Sequence, residues 1–271
     1  MSARSKAETR PVLAQAKAVR LPILAYHGVD ELRSVISTSP ALLAWQMAWL
    51  HRTGHHVLAL GDIVSRLQRR EPLPPRTLAI IFDDGLASLY THAWPILADH
   101  GFPAAVFVVA GYCGKANDWP GQPSQVLRQP LLTWAQVREF DRHDITIGAH
   151  TLDHARLDLL PGAEAESQVA GGKQVIEEQL GHAIDLFAYP YGRHTPAIRQ
   201  TVGRFFAGAC TARPGLVGSE SDLLLLDRVD ASYVARPWLF SRLFHPLFPR
   251  YLALRRALRR RAARLLQRPW A

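Results

Sequence analysis

Short apolar runs alternate with amphipathic helical patterns along most of this chain, and this alternation restricts the fold more than any other feature. Seven runs have the length and composition of buried strands, at 23–26, 78–82, 104–109, 145–149, 184–189, 205–210 and 223–229. Helical patterns lie between them, at 40–52, 86–100, 133–142, 162–180 and 196–203. Strands that alternate with helices are typical of a parallel sheet covered by helices. Seven such strands predict an α/β barrel, closed or partly open.

The predicted α/β domain covers residues 20–235, between a flexible lead-in at 1–19 and a C-terminal segment at 236–271. The first twenty residues lack the apolar core of an export signal, and no stretch approaches the length of a membrane span. We therefore expect a cytoplasmic protein. The two cysteines, Cys113 and Cys210, form no metal-binding or disulfide pattern and are expected to be reduced thiols.

Two adjacent carboxylates, Asp83 and Asp84, follow the apolar run 78–82 and precede Gly85. The apolar run has the composition of a buried strand, so both acids are predicted at the carboxyl end of that strand. Unpaired burial of either charge would cost several kcal/mol, which implies a cation or a protonation event nearby. One aspartate at this point would be explained as a helix N-cap, since Asp favours that position. Two in sequence favour a functional site.

A second group of polar residues, His150 and His154, follows the predicted strand 145–149. Histidines four residues apart can converge on one metal ion. The pair alone is a weak signal, because the chain has twelve histidines. The position of the pair strengthens this signal, because the active sites of parallel barrels lie at the carboxyl ends of the strands. Together with Asp84, the two histidines would form a facial triad with open positions for water and substrate.

Three more predicted strands end in residues that could take part in binding or catalysis. The segment Tyr189-Pro190-Tyr191-Gly192 closes one strand, although Pro and Gly there also fit a simple turn. His27 ends the first strand, and Arg228 lies near the end of the last one. A lone histidine in such a place is more often structural than catalytic.

These motifs together resemble the polysaccharide deacetylases of carbohydrate esterase family 4, which carry the NodB-homology domain. The resemblance covers roughly residues 21–230. Phe82-Asp83-Asp84-Gly85 is similar to the first motif of the family, and His150-Thr151-Leu152-Asp153-His154 to its histidine motif. Tyr189-Pro190-Tyr191-Gly192 is similar to its third motif, and Leu24-Ala25-Tyr26-His27-Gly28 to a branch found in bacterial exopolysaccharide pathways. The resemblance implies a distorted (β/α)7 barrel.

The resemblance also implies a role for each motif residue. Asp84, His150 and His154 would bind a divalent metal, commonly Zn²⁺ in this family, and Asp83 would be the general base. The backbone N–H of Tyr191 would help to hold the tetrahedral oxyanion. Adjacent residues on an extended backbone point to opposite sides, which would suit the separate roles of the two aspartates.

The sequence departs from the family pattern at two places. The third motif of the family often begins with an arginine that orients the base, whereas this chain has Ala188. We hypothesise that Arg228 supplies that charge from a neighbouring strand. The family's C-terminal motif contains a histidine that protonates the leaving amine, whereas the comparable stretch here, residues 224–228, contains none. We hypothesise that His27 is the general acid.

Basic residues are concentrated at the C-terminus. Residues 231–271 contain ten arginines and no acidic residue, whereas the remaining residues carry 22 basic and 23 acidic groups. Between residues 249 and 268, leucines and arginines recur at helical spacing, which predicts a basic amphipathic helix. Such a helix can lie on an anionic membrane surface, or it can pack on the barrel with a solvated arginine face. No nucleic-acid-binding motif accompanies these arginines, which disfavours that partner.

We therefore expect an enzyme that removes N-acetyl groups from amino sugars of a bacterial surface glycan or of its lipid-linked precursor. A cytoplasmic enzyme, peripheral on the inner face of the membrane, would suit the lipid-linked precursor. Two alternatives stay open. One is a deformylase that acts on a lipid-linked sugar, and the other is a catalytically silent glycan-binding protein at the membrane.

Overall fold

The part of the chain that the structure describes contains ten strands, and seven of them form a closed parallel ring at the centre of the fold. The computed structural model describes residues 20–266, without the side chains of 259, 260 and 262–266. The predicted lead-in, residues 1–19, lies outside this range. The strands are β1 (Ile23–Tyr26), β2 (Gly28–Val29), β3 (Ser37–Thr38), β4 (His56–Val57), β5 (Thr77–Phe82), β6 (Ala104–Val108), β7 (Ile145–Ala149), β8 (Leu186–Ala188), β9 (Gly208–Pro214) and β10 (Leu226–Asp230).

The barrel closes because β1 pairs in parallel with both β10 and β5. The other neighbours follow in the order β5, β6, β7, β8, β9 and β10, all parallel. The predicted seven-stranded α/β barrel is thus confirmed. The short strand β4 extends the sheet beyond β5, and β2 pairs with β3 beyond the carboxyl end of β1. The sequence did not reveal these three two-residue strands.

Eight α-helices accompany the strands within residues 20–266. They are α1 (Pro40–Arg52), α2 (Leu60–Gln68), α3 (Trp94–Ala98), α4 (Trp134–Asp141), α5 (Gly162–Leu180), α6 (Pro196–Gly203), α7 (Pro237–Phe240) and α8 (Phe248–Leu266). The helices α1, α5 and α6 begin and end at the predicted residues, and helix α2 was missed. The helix predicted at 86–100 is broken into a π-helical turn, Leu89–Ala93, and the short α3. Pro95 has no N–H to donate to Thr91, which interrupts a regular helix at this point.

Alternate residues of the strands fill the barrel interior. Helix α2 packs against this interior cluster, and its Val64 lies close to Gly208, the first residue of β9. The helix therefore closes the barrel at the amino ends of the strands, and the opposite end is left for a site. The interior cluster includes Ile23, Ala25, Ala79, Ile81, Ala105, Phe107, Leu186, Ala188, Cys210 and Leu226.

The first part of the C-terminal segment packs on the barrel. Phe240, Leu243, Phe248 and Leu252 are buried in the main hydrophobic core, and the Phe240 ring contacts two tryptophans of α1. The predicted basic helix is present as α8. Within residues 20–266, no helix is both long and apolar enough to cross a bilayer.

Candidate active site

The alternation of strand residues brings three of the predicted site residues to the open end of the barrel. His27, Asp83 and Arg228 each lie two residues beyond an interior-facing position, so their side chains continue the interior rows. Asp83 and Arg228 are buried, and the side chain of His27 is 21% exposed. The interior-facing residues that precede them are Ala25, Ile81 and Leu226. The strands thus place a base candidate, a cation and a histidine in one layer above the apolar interior.

The backbone turns sharply where the other site residues lie. Asp84 has φ of 69° and is followed by Gly85 with φ of 70°, so the chain leaves β5 through two left-handed residues. We had expected an extended backbone at the Asp83–Asp84 pair, and the structure corrects this. Thr151, His154 and Tyr191 also have positive φ, so four of the seven such non-glycine residues within 20–266 are in the site motifs. Backbone strain of this kind clusters at functional sites.

Three of the predicted residues form a cluster that fits a metal ion. The Nε2 atoms of His150 and His154 lie 3.5 Å and 3.3 Å from Oδ1 of Asp84. One ligand atom of each residue lies within 4.8 Å of the others, and all three side chains are buried. His150 Nδ1 donates a hydrogen bond of 2.7 Å to the carbonyl oxygen of Ala188. Since a carbonyl can only accept, Nδ1 carries the proton and Nε2 is left with a lone pair for a cation.

The charges of Asp84 and His154 also suit a cation. Burial raises the pKa of Asp84, but the neighbouring His150 and His154 outweigh burial and hold it well below its usual value. Burial lowers the pKa of His150, but Asp84 and Asp83 outweigh burial and raise it. Burial lowers the pKa of His154. An ionised carboxylate beside a neutral imidazole is the state that metal ligation requires.

Aromatic rings hold His154 in place. Its Nδ1 atom is buried and has no hydrogen-bond partner among residues 20–266. The ring instead lies between Trp119, with centroids 4.2 Å apart, and Tyr191, with centroids 4.6 Å apart. Trp119 is 1% exposed and belongs to the long loop after β6. The sequence did not assign a role to Trp119.

Asp83 is paired with Arg228 and lies close to His27. Arg228 Nη1 donates a hydrogen bond to Oδ2 of Asp83, and His27 Nε2 lies 3.7 Å from the same oxygen. Burial raises the pKa of Asp83, but Arg228, His150 and His27 more than offset burial and lower it. The other oxygen, Oδ1, is buried and has no hydrogen-bond partner within the described chain. Asp83 is therefore an ionised carboxylate with one oxygen held by Arg228 and one available to a substrate or water.

Tyr191 lies in a tight turn that only glycine can complete. Its neighbour Gly192 has φ of 68°, and a Cβ atom there would lie 2.3 Å from the backbone nitrogen of Ala212. Burial raises the pKa of the Tyr191 hydroxyl to about 12, so it stays protonated at neutral pH. The structure thus places Tyr191 beside His154, at the wall of the site.

A pocket of about 150 Å³ joins all seven predicted site residues. Its remaining wall consists of Ile36, Gln122, Pro123 and Val126, which the sequence did not identify. These four residues come from two loops at the carboxyl ends of β1 and β6. A pocket of this size accepts a small group such as an acetamide.

The carboxyl end of the barrel carries two carboxylates, two histidines and an arginine paired with one carboxylate, a set that suits metal-assisted hydrolysis. Comparisons with known proteins identify the class. The family model of polysaccharide deacetylase matches residues 70–205, about half of the chain. The matched range contains both aspartates, both histidines and Tyr191, whereas His27 and Arg228 lie outside it. The chain therefore belongs to the polysaccharide deacetylase family and is an enzyme of the carbohydrate N-deacetylase class.

Relatives cover different shares of the chain. YxkH of Bacillus subtilis (strain 168), named for the same family, is 26% identical over 217 residues, which is 80% of this chain and 73% of YxkH. The poly-beta-1,6-N-acetyl-D-glucosamine N-deacetylase of Escherichia coli (strain K12) is 28% identical over 134 residues, which is 47% of this chain but only 20% of that protein. The solved structure of IcaB from Ammonifex degensii matches with a TM-score of 0.72 and 27% identity, over 83% of this chain and 95% of IcaB.

Proposed function

We propose that this enzyme hydrolyses the N-acetyl group of an amino sugar in a bacterial surface glycan, with a divalent metal, Zn²⁺ in the first instance, held by Asp84, His150 and His154. The observation that carries the proposal is the buried Asp84 carboxylate with two imidazole Nε2 atoms within 3.5 Å of one oxygen. A bound divalent ion supplies Lewis acidity, which polarises an amide carbonyl and acidifies water.

The residues of the chain account for the proton transfers. Asp83 Oδ1 takes a proton from water as the water oxygen attacks the acetamide carbonyl carbon. His27 gives a proton to the amide nitrogen as the C–N bond breaks, so that acetate and a free amine leave. Arg228 keeps Asp83 ionised, and the backbone N–H of Tyr191 donates to the oxyanion of the tetrahedral intermediate. His27 is suited to its role because it lies within the pocket yet is partly exposed to solvent.

The glycan is proposed to be a polymer of N-acetylglucosamine or its lipid-linked precursor. Support comes from the E. coli relative, whose name gives poly-beta-1,6-N-acetyl-D-glucosamine as its substrate. We also propose that the enzyme works at the inner face of the cytoplasmic membrane. Support comes from α8, whose inner side packs on the barrel through Tyr251 and Leu252 while its outer side exposes Leu254 and Leu258 among arginines.

The proposed function is tested by metal content and acetate release from N-acetylglucosamine oligomers. We expect about one equivalent of metal per chain, loss of activity with a chelator and recovery when metal is restored. The Asp83→Asn variant should keep the metal and release no acetate. Wild-type activity that persists after complete removal of metal, or equal acetate from both proteins, would show the mechanism to be wrong.

A further inference from the structure

Among the side chains that the structure describes, large exposed apolar residues occur in two groups. Four of them, Leu32, Val35, Leu127 and Leu159, lie in loops that follow the carboxyl ends of β1, β6 and β7. The other four are Trp238, Leu247, Leu254 and Leu258 of the C-terminal segment. Scattered exposed leucines are ordinary, but the group at the active-site end, together with Leu254 and Leu258 on the basic helix α8, indicates a binding surface.

The apolar residues at the active-site end border the pocket itself. Leu32, Val35 and Leu127, here called the mouth collar, are 54%, 66% and 45% exposed. Val35 and Leu127 are the chain neighbours of Ile36 and Val126, which line the pocket. The two loops are joined, because the backbone N–H of Leu127 donates a hydrogen bond of 3.3 Å to the buried Ser34 hydroxyl. The mouth collar is therefore a fixed apolar edge beside the catalytic residues.

Helix α8 reaches the same end of the barrel. Four residues before α8 begins, the ring of Phe244 contacts His55, which precedes β4 at the amino ends of the strands. Further along, Arg256 donates hydrogen bonds to the carbonyl oxygen of Pro214, the last residue of β9, and the Arg255 guanidinium lies 4.2 Å from the ring centroid of Tyr233, just after β10. The ten residues of α8 that follow Arg256 are about 15 Å long at 1.5 Å per residue. The helix thus runs toward the active-site end and continues past the end of β9.

We propose that the mouth collar and the carboxyl-terminal end of α8 dock together on an anionic bilayer, so that the active site opens onto the lipid headgroups. The charge of the segment favours a bilayer over a protein partner, because ten arginines without one acidic residue match a surface of phosphates. Exposed Leu258 and Arg261 lie beyond Arg256 on α8, where apolar contact and headgroup pairing occur together.

This inference rests on the proposed function and narrows its substrate. A site that faces the headgroups reaches an amino sugar carried on a membrane lipid, within a few sugar units of the lipid. It does not favour a finished polymer far from the membrane. The substrate class is therefore an N-acetylated saccharide carried on a membrane lipid.

The test is vesicle flotation of the full chain with vesicles of phosphatidylglycerol and phosphatidylcholine, or of phosphatidylcholine alone. The triple variant Leu32→Ser/Val35→Ser/Leu127→Ser removes the mouth collar without touching a pocket residue. Leu247→Ser is the matched control, because Leu247 is 53% exposed and precedes α8 at the end away from the pocket. Acetate release from a soluble N-acetylglucosamine oligomer shows whether the active site is intact in each protein.

We expect wild type and Leu247→Ser to float with anionic vesicles, and the triple variant to bind them about tenfold more weakly or worse. Activity on the soluble oligomer should be the same in all three proteins. Absence of wild-type binding, equal binding by the triple variant, or an equal loss in Leu247→Ser would each overturn the inference. Flotation is measured without substrate, so a failure of the proposed function would appear in the acetate assay alone.

Discussion

Replacement of Arg228 by methionine tests how the catalytic base is kept ionised. Arg228 and Asp83 are both buried, at 6% and 1% exposure, and form a direct ion pair. Removal of one partner of such a pair leaves an uncompensated buried charge, which costs about 3–5 kcal/mol. His27 and His150 lie close to Asp83, and their attraction to its carboxylate offsets part of that cost. We expect the Arg228→Met variant to be destabilised by about 3 kcal/mol at neutral pH.

The same change alters the pH dependence in a defined direction. In the wild type, the pKa of Asp83 lies below its usual value, so its stabilising charge is present at neutral pH and is lost only as the pH falls through that lowered pKa. Without Arg228, burial raises the pKa of Asp83. The acid limb of the kcat profile should therefore move to higher pH. The stability difference between variant and wild type should shrink as the pH is lowered.

The assays are urea unfolding at several pH values and kcat for acetate release between acid and neutral pH. Arg204→Met is the matched control, because Arg204 pairs with Glu166 at 2.6 Å on the surface, with the two side chains 53% and 41% exposed. Exposed pairs contribute about 0–1 kcal/mol, so the control should alter neither measurement much. If Arg228→Met is destabilised but keeps the wild-type kcat profile, Arg228 is a structural residue and our reasoning about the base is wrong.

Three further predictions concern other residues of the site. His27→Gln should lower kcat about 100-fold, as expected for the loss of a general acid, while metal content and stability stay unchanged. A variant with the wild-type kcat would exclude His27 as the general acid. Trp119→Leu should weaken metal affinity by about tenfold, because His154 loses its aromatic neighbour, and competition with a chelator would measure this. Trp119→Phe should retain most of the wild-type affinity. Equal affinity in all three proteins would show that Trp119 does not support the metal site. Gly192→Ala should lower the free energy of unfolding by at least about 1 kcal/mol, because the new Cβ would clash with Ala212 and the backbone there has a positive φ. Unchanged stability would contradict this.

The barrel was predictable because its strands carry an unambiguous signal. Five of the seven barrel strands are short apolar runs, which is the composition a buried parallel strand needs. The strands β9 and β10 contain charged residues, and each begins three residues after the apolar run that predicted it. Elements without such a pattern were missed, such as the two-residue strand β4. Helix α3 shows a different failure, because the apolar spacing of 86–100 is helical while Pro95 breaks the hydrogen bonds that the spacing assumes.

The site was predictable where its residues lie within motifs at strand ends. Asp84, His150 and His154 were assigned as a set from sequence, and the structure brings them together. The structure also places Arg228 against Asp83, with only β1 between their two strands. We had sought such a cation because the family's arginine is replaced by Ala188. Trp119 was not assigned, because a single tryptophan in a loop gives no periodic signal. Its contact with His154 depends on how the whole loop folds.

The charges of the buried site give a separate reason to expect a divalent ion there. Asp83 and Asp84 contribute two negative charges within a layer whose one buried fixed cation, among the described residues, is Arg228. With neutral histidines the site is left with an excess negative charge away from solvent, which is costly unless it is paired. A divalent ion at Asp84 would reverse the sign of the site. A site with net positive charge then stabilises the oxyanion that develops when the acetamide is attacked, whereas the same residues without the ion would oppose it.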